Sequence, residues 1–408
     1  MGGTEEFEGK FCVVAGVHVR LGGQLKAPIL RPAQHTLLVL AIAVATRLAS
    51  VLLGFVAVAT LPALPVTASG WPLFNWDSLH YLAIMAHGYP PAVGAHVPRI
   101  AAFFPLYPLL ARLVPVDSSE VALLLTANLA GVLAIVLFYR WARRLESERI
   151  ALAATAILLI YPPSMFLAAA YTESLFLVGV LLTLLAIQEG RTWRAGAWSG
   201  IVSAVRPTGA ALAATLAVWE WRREPLTRRR VLRVAALVLL ASAGMLAYAV
   251  YLRGHYGSWW AYLDAQSYWG RHPPATLASA TAAAPTAKLT SEGAFRLASK
   301  LAHPAAWNLA MTMAWVPICA LCLRWPGRVP RVLYLLPAGV YLLGIVPDLG
   351  TRWVSLPRFE VAALPCFVRA AEFIEHPRWR WVLLVSALPL AALHGQLIWL
   401  FSRGAWCG

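Results

Sequence analysis

The chain has 408 residues, of which 60% are hydrophobic and only 13% are charged. Soluble domains carry roughly 25% charged residues, so this composition excludes an ordinary soluble protein and predicts a polytopic membrane protein. The formal net charge is +16, but nucleic acid binding is not indicated. The arginines fall in short clusters between apolar runs, which is the positive-inside pattern.

Apolar runs near the length of a membrane crossing predict an all-α bundle with about 10–11 membrane segments. A polar N-terminal extension at 1–34 is expected to be cytoplasmic and without stable structure, followed by a single transmembrane domain at 35–402 and an external tail at 403–408. The expected spans are 35–61, 119–139, 150–167, 172–189, 195–221, 231–252, 305–323, 331–347, 358–374 and 380–401. External segments are expected at 62–118, with interfacial helices, and at 253–303.

The stretch 195–221 has arginines at both ends, which a single crossing does not explain. Arg206-Pro207-Thr208-Gly209 lies at its middle. Proline removes a helix donor and glycine loosens the turn, so we predict a broken helix pair with Arg206 at its tip. Non-helical backbone at membrane depth is tolerated where it lines a protein cavity.

This topology places the unusual polar residues on the external face and the arginine clusters on the opposite face. Charges near lipid usually mark a pathway or a site, so we expect an acid–base site on the external face. The polar residues concerned are Asp77, His80, Tyr171, Glu173, Arg206, Asp264, Arg271, Asp348, Arg352, Arg358 and Glu360.

Asp77 and His80 are three residues apart, and on a helix they share a face. We expect a short interfacial helix over 75–86, ended by the glycine and prolines at 88–91. A carboxylate in such an apolar, aromatic setting can act as a general base, but it can equally cap its own helix. The residues alone leave both roles open.

Other side chains of the external face also have two interpretations. Arg206, Arg271 and Arg358 could each bind a phosphate, or they could snorkel or form salt bridges. Glu173 opens a predicted span, where a carboxylate is favoured by the helix dipole. The apolar segment 102–108, with two prolines, indicates a structural corner.

Six segments in this order resemble the PIG-V family of membrane mannosyltransferases, and together they cover most of residues 70–370. The first is the most specific, with Trp-Asp-Ser-Leu-His-Tyr followed by Gly-Tyr. The segments are Trp76–Tyr89, Ala102–Pro108, Ser164–Ser174, Val205–Gly209, Ala265–Arg271 and Leu356–Phe359.

The resemblance implies a GT-C glycosyltransferase that takes a hexose, in the first place mannose, from a polyprenyl-phosphate donor. It implies a lipid or glycan acceptor, inversion at the sugar, and catalysis at the non-cytoplasmic face of the membrane. The abundance of Ala, Arg and Leu and the scarcity of Lys indicate a prokaryotic plasma membrane. Asp77 would be the catalytic base, and His80 would orient it or contact the phosphate. The implied substrate-binding residues are Trp76, Tyr81, His87, Phe103, Phe104, Tyr107, Tyr171, Glu173, Arg206, Gln266, Trp269, Arg271 and Arg358.

Two alternatives remain at this point. A lipid-linked-sugar transporter or flippase without transferase activity would need broken helices in two matching halves, and the sequence indicates one break, near Arg206. A structural subunit that partners an enzyme is the weaker alternative. The chain has no Asp-x-Asp or His-Glu-x-x-His motif, so no cofactor is expected, although a divalent cation is left open.

Overall fold

The computed structural model describes residues 12–14, 17–19, 32–60, 70–92, 96–223, 227–266, 318, 320–325, 327–345, 356–405 and 407. Most of these residues are helical, which confirms the all-α prediction. The helices are α1 (Pro32–Thr60), α2 (Asp77–His87), α3 (Leu106–Ala111), α4 (Ser119–Arg143), α5 (Glu148–Ile160), α6 (Glu173–Gln188), α7 (Thr192–Ser203), α8 (Ala210–Trp221), α9 (Arg228–Ala241), α10 (Ala243–Tyr256), α11 (Ala261–Gln266), α12 (Leu335–Ile345), α13 (Leu356–Glu360), α14 (Leu364–Glu372) and α15 (Pro377–Ser402). Short 3-10 helices lie at Arg99–Ala102, Pro162–Leu167, Pro207–Gly209, Arg331–Tyr334 and Phe373–Glu375.

A small antiparallel hairpin, which the sequence analysis did not predict, lies within the N-terminal extension. Strand β1 (Cys12–Val14) pairs with β2 (Val17–Val19) so that Cys12 is opposite Val19. Most of the predicted span at 305–323, and the second external segment beyond residue 266, fall outside the described residues.

Three of the described helices are long and apolar enough to cross a membrane: α1 from Ala33, α4, and α15 from Arg380. A fourth crossing is available if α9 and α10 form one bent span. The prediction of several membrane-spanning helices is therefore confirmed. Other predicted spans are shorter helices in the structure; α5, for example, stops before the proline pair at 162–163, which cannot continue its hydrogen-bond ladder.

The predicted helix break at Arg206 is present. Helix α7 ends at Ser203, Arg206 is extended with φ −155° and ψ 148°, and a 3-10 turn over Pro207–Gly209 leads into α8. Gly209 is needed there, because a Cβ atom on it would lie 2.8 Å from the Cα of Ser203. The two short helices therefore meet closely at the turn that carries Arg206.

A second break, at Ser242, was not predicted. The expected continuous span 231–252 is α9 and α10, bent by 59°. Gly244 packs so tightly against α7 that a Cβ atom on it would lie 2.5 Å from the backbone oxygen of Gly200 and from the nitrogen of Ala204. A serine with a nearby glycine is a common cause of such kinks.

The two ends of the bundle carry different polar groups. Helix α6 begins at Glu173 and is capped at its other end by Glu189, about 24 Å away at 1.5 Å per residue. Glu189 pairs with Arg144 at 3.1 Å, and Glu146 pairs with Arg328 at 3.2 Å. The arginine clusters therefore lie at the opposite end of the bundle from Glu173.

Candidate active site

The turn before α2 has a strained backbone. Leu73 and Trp76 both have positive φ values, 56° and 57°, although neither is glycine. Such conformations cost about 1–3 kcal/mol each and persist only where neighbouring structure imposes them. The strain lies in the residue directly before Asp77, so it fixes the direction in which α2 starts.

The end of α15 holds this turn in place. The Asn75 side chain donates to the backbone oxygen of Phe401 at 2.8 Å, and the Trp76 indole donates to that of Gly404 at 3.1 Å. The Ser402 hydroxyl accepts from the backbone nitrogen of Leu73 at 3.2 Å. Nothing in the sequence pattern pairs these segments, which are more than 300 residues apart.

Asp77 is the first residue of α2, and its carboxylate binds Arg358. The distance from Oδ2 to Nη1 of Arg358 is 2.5 Å. The Asp77 backbone N–H donates to the Tyr171 hydroxyl at 3.2 Å. The carboxylate is thus directed across the bundle to α13, and Trp76 occupies the N-cap position of α2.

Glu173 is the centre of the charged cluster. Its Oε1 lies 2.7 Å from Nη1 of Arg206 and 3.5 Å from Nε of Arg358. Its side chain is only 3% exposed, whereas that of Asp77 is 13% exposed. Two carboxylates balance two guanidiniums here, and of the two acids Asp77 is the more accessible to a substrate.

Aromatic rings pack over the two guanidinium groups. Arg206 lies 4.8 Å from the ring centre of Phe359, and Arg358 lies 5.5 Å from that of Tyr171. Both contacts have cation–π geometry, which favours a charged guanidinium in an apolar setting. Burial, and then the negative charge of Asp77, raise the pKa of the Tyr171 hydroxyl well above its ordinary value, so it remains a neutral donor.

A second group of aromatic side chains, including His80, Tyr81 and Phe103, packs beside Asp77. His80 stacks on Phe103 with ring centres 4.4 Å apart, and Tyr81 meets Phe103 edge-on at 5.4 Å. Burial lowers the pKa of His80 and outweighs the opposite effect of Asp77. His80 is therefore a neutral imidazole at neutral pH.

Several of the predicted substrate-binding residues lie away from the charged cluster. Phe104 packs on Tyr248, at 4.6 Å between ring centres, in a neighbouring aromatic layer beside α11, where Gln266 is buried. His87 is exposed at the far end of α2, and Tyr107 is fully buried and donates to the Leu123 carbonyl at 2.8 Å. Trp269 and Arg271 lie outside the described residues.

The cluster combines an accessible carboxylate with two cations, which suits proton abstraction next to a bound anion. Sequence reasoning found Asp77, Tyr171, Glu173, Arg206 and Arg358, and the structure brings these five together. Sequence reasoning missed the anchoring residues Asn75, Phe401 and Gly404 and the ring of Phe359. The position of Phe359 next to Arg358 was the one signal that could have indicated its role. Among the described residues, no three His, Cys, Asp or Glu side chains are grouped to hold a metal ion.

Comparison with known proteins confirms the resemblance noted in the sequence. Residues 57–251, a little under half of the chain, match the model of the mannosyltransferase (PIG-V) family. The GPI alpha-1,6-mannosyltransferase 2 of Mus musculus is 31% identical over 150 residues, which are 34% of this chain and 29% of the mouse protein. The match therefore spans less than a third of that relative's length.

Solved structures of an archaeal oligosaccharyltransferase also resemble the chain. AglB of Archaeoglobus fulgidus, in complex with an inhibitory peptide and a dolichol-phosphate, has a TM-score of 0.47 at 15% identity, over 91% of this chain and 56% of that one. A second structure of the oligosaccharyltransferase from this organism, tethered to an acceptor peptide, has a TM-score of 0.44 at 13% identity, over 91% and 55% of the two chains.

Proposed function

We propose that this protein is a membrane glycosyltransferase that transfers a hexose, in the first place mannose, from a polyprenyl-phosphate donor to an acceptor hydroxyl. One observation carries the proposal: the Asp77 carboxylate lies against Arg358, in a cluster that also holds Glu173 and Arg206. Asp77, Glu173 and Arg206 fall within the region that matches the mannosyltransferase family. The acceptor is a lipid or a glycan.

In the proposed reaction Asp77 is the general base. It takes the proton of the acceptor hydroxyl as that oxygen attacks C1 of the sugar. The new C1–O bond forms while the bond from C1 to the phosphate oxygen breaks, and the electron pair leaves with the phosphate. Attack from the side opposite the leaving group inverts the configuration at C1.

The two arginines are the proposed phosphate ligands. Charge develops on the phosphate as the sugar leaves, and fixed cations in a site of low dielectric stabilise that charge most effectively. A guanidinium offers a planar fork of donors that matches phosphate oxygens. Arg206 and Arg358 are both oriented by Glu173, so that carboxylate would act as a positioning residue for the pair.

The contact between Asp77 and Arg358 implies an order of events. The Asp77 Oδ2 atom lies 2.5 Å from Nη1 of Arg358, so this oxygen is occupied by the guanidinium before a substrate binds. A donor phosphate competes for the same guanidinium and releases Asp77. Donor binding would therefore activate the base, and acceptor deprotonation would follow it.

The proposed side of action follows from charge distribution. The arginine clusters lie at the end of the bundle opposite Glu173, and clusters of this kind face the cytoplasm in membrane proteins. The acid–base site would then face the non-cytoplasmic side, which in a prokaryotic cell is the outside of the plasma membrane.

The decisive experiment is the substitution Asp77→Asn in the purified, reconstituted protein, assayed with radiolabelled polyprenyl-phosphate-mannose and a cell lipid extract as acceptor source. We expect loss of transfer in a variant that still folds and still binds the donor. Asp117→Asn is the matched control, since Asp117 is exposed in the same external segment. Full transfer by the Asp77→Asn variant would refute the base assignment.

A lipid-linked-sugar transporter is the alternative function, and the second helix break at Ser242 is the observation in its favour. However, the two breaks occur in consecutive segments rather than in matching halves, which is the arrangement expected of a transporter with inverted repeats. Movement of labelled lipid-linked sugar across liposomes, without transfer to any acceptor, would support this alternative.

A further inference from the structure

A cavity of about 470 Å³ lies at the arginine-rich end of the bundle, separate from the charged cluster around Glu173. It is formed where α6 and α8 end and where α7 and α9 begin. Its charged and aromatic lining consists of Arg191, Trp193, Arg194, Glu220, Arg223 and Arg233.

The buried carboxylate of Glu220 lines this cavity and is held by neighbouring arginines. Glu220 has a side chain only 5% exposed, with Oε1 3.2 Å from Nη1 of Arg233 and Oε2 3.6 Å from Nη1 of Arg223. The buried Arg230 donates to the backbone oxygen of Glu220 from behind. A buried acid therefore holds two of the cationic side chains of the cavity, Arg223 and Arg233.

The rim of the cavity is strongly cationic and accessible. Arg191, Arg194, Arg223 and Arg233 have side chains 59%, 53%, 46% and 46% exposed. With Glu220 as the one acid of the lining, the cavity has a net charge of +3. Glu220 lies near Arg223 and Arg233, and Glu189, just outside the lining, lies 3.7 Å from Arg191 and 3.8 Å from Arg194. Each guanidinium has five N–H donors, so donors remain for an outside anion.

The start of α7 adds to this positive field. Helix α7 has 12 residues, begins at Thr192 in the cavity wall, and has Arg191 at its N-cap position with no side-chain capping bond. The first N–H groups of a helix and its dipole favour an anion at this end. A phosphate bound between Arg191 and Arg223 would meet both the guanidiniums and the helix start.

The depth of the cavity indicates the source of the phosphate. It lies about 24 Å along α6 from Glu173, which is close to the thickness of the hydrocarbon layer. Trp193 and Trp221 are 54% and 47% exposed beside it, and tryptophan is enriched at the level of lipid headgroups. Basic pockets between membrane helices at this level bind anionic headgroups.

We propose that this cavity binds the phosphate of an anionic phospholipid headgroup in the leaflet at the arginine-rich end. The ligand chemistry is a phosphodiester anion held by forked guanidinium donors, with its acyl chains lying along the apolar sides of the neighbouring helices. The proposal does not depend on the reaction at Asp77, because no residue of that cluster lines the cavity.

The test uses the full-length protein in a neutral detergent, titrated with phosphatidylglycerol, phosphatidylcholine or inorganic phosphate while thermal unfolding is followed. Binding to the native state raises the unfolding temperature. The pocket variant is Arg191→Gln with Arg223→Gln. The control is Arg228→Gln with Arg229→Gln, the same charge change at two exposed positions outside the cavity.

We expect phosphatidylglycerol to stabilise the native protein and phosphatidylcholine to have little effect. The pocket variant should raise the half-saturating lipid concentration about tenfold, the equivalent of ~1.4 kcal/mol, while the control changes it less than about twofold. If the pocket variant does not fold, Arg191→Lys with Arg223→Lys keeps the charge and removes the forked donors, and about a threefold weakening is expected.

Three results would overturn the proposal. The first is the absence of stabilisation by phosphatidylglycerol. The second is equal weakening in the pocket and control variants, which would indicate diffuse surface attraction. The third is stabilisation by inorganic phosphate at the same concentrations as the lipid, which would make the source a free anion.

Discussion

Replacing Glu173 with Gln tests whether this buried carboxylate organises the charged cluster. The substitution preserves shape but leaves two guanidiniums, Arg206 and Arg358, opposite a single acid, Asp77. Breaking a buried ion pair by removing one partner costs about 3–5 kcal/mol. Glutamine retains one acceptor oxygen, so we expect the lower end, ~3 kcal/mol of lost unfolding free energy.

A double-mutant cycle separates this pairing from simple loss of packing. Arg206→Gln alone leaves Glu173 with its 3.5 Å contact to Arg358. In the double variant both charges of the pair are removed, so neither is left buried without its partner. We therefore expect the double variant to be less destabilised than the sum of the single variants, by about 0.5–3 kcal/mol.

Unfolding in mixed micelles, followed by tryptophan fluorescence, measures each corner of this cycle. Glu148→Gln is the control, because Glu148 pairs with Arg143 at a similar 3.1 Å but is 30% exposed. Partly exposed pairs contribute about 0–1 kcal/mol, so that variant should change little. Additive effects of Glu173→Gln and Arg206→Gln, within about 0.5 kcal/mol, would contradict the bridging role.

Two further predictions concern the surroundings of the cluster. Gly244→Ala should destabilise the protein by about 1–3 kcal/mol and lower transfer, because the new Cβ atom would press on the backbone of Ala204, two residues from Arg206. The control is Gly254→Ala in the same helix, which has open space around it and should be neutral or stabilising. Equal effects of the two substitutions would refute this prediction. The folded state holds the pKa of His80 below its ordinary 6.5, so the unfolded chain takes up the proton first as the pH falls below that value. The melting temperature should therefore fall more steeply between pH 7 and 5 in the unsubstituted protein than in the His80→Gln variant. Parallel melting-temperature profiles of the two would contradict the conclusion that burial lowers the pKa of His80.

The membrane helices could be predicted where the signal is local. Long apolar runs gave α1, α4 and α15 directly, because a lipid-facing helix needs about 20 apolar residues in succession. The break at Arg206 was also predictable, since proline and glycine act on their own backbone. The bend at Ser242 was missed: a serine near a glycine is a weak local signal, and the close packing of Gly244 on α7 is visible only in the folded bundle.

The charged cluster shows the same division between local and distant causes. Asp77 was recognisable from its aromatic setting and from the family resemblance. Glu173 has the sequence environment of a helix-start carboxylate, and it does begin α6, but its contacts with Arg206 and Arg358 depend on segments that meet only in the folded bundle. A local pattern cannot distinguish an acid that stabilises its own helix from one that bridges two others.

The hydrogen bonds from Asn75 and Trp76 to the end of α15 have a practical consequence. Phe401 and Gly404 anchor the turn that directs Asp77, so a mechanical load on the segment that carries them is transmitted to the charged cluster. We expect an affinity tag or reporter fused close behind Gly404 to disturb the contact between Asp77 and Arg358 without touching either side chain.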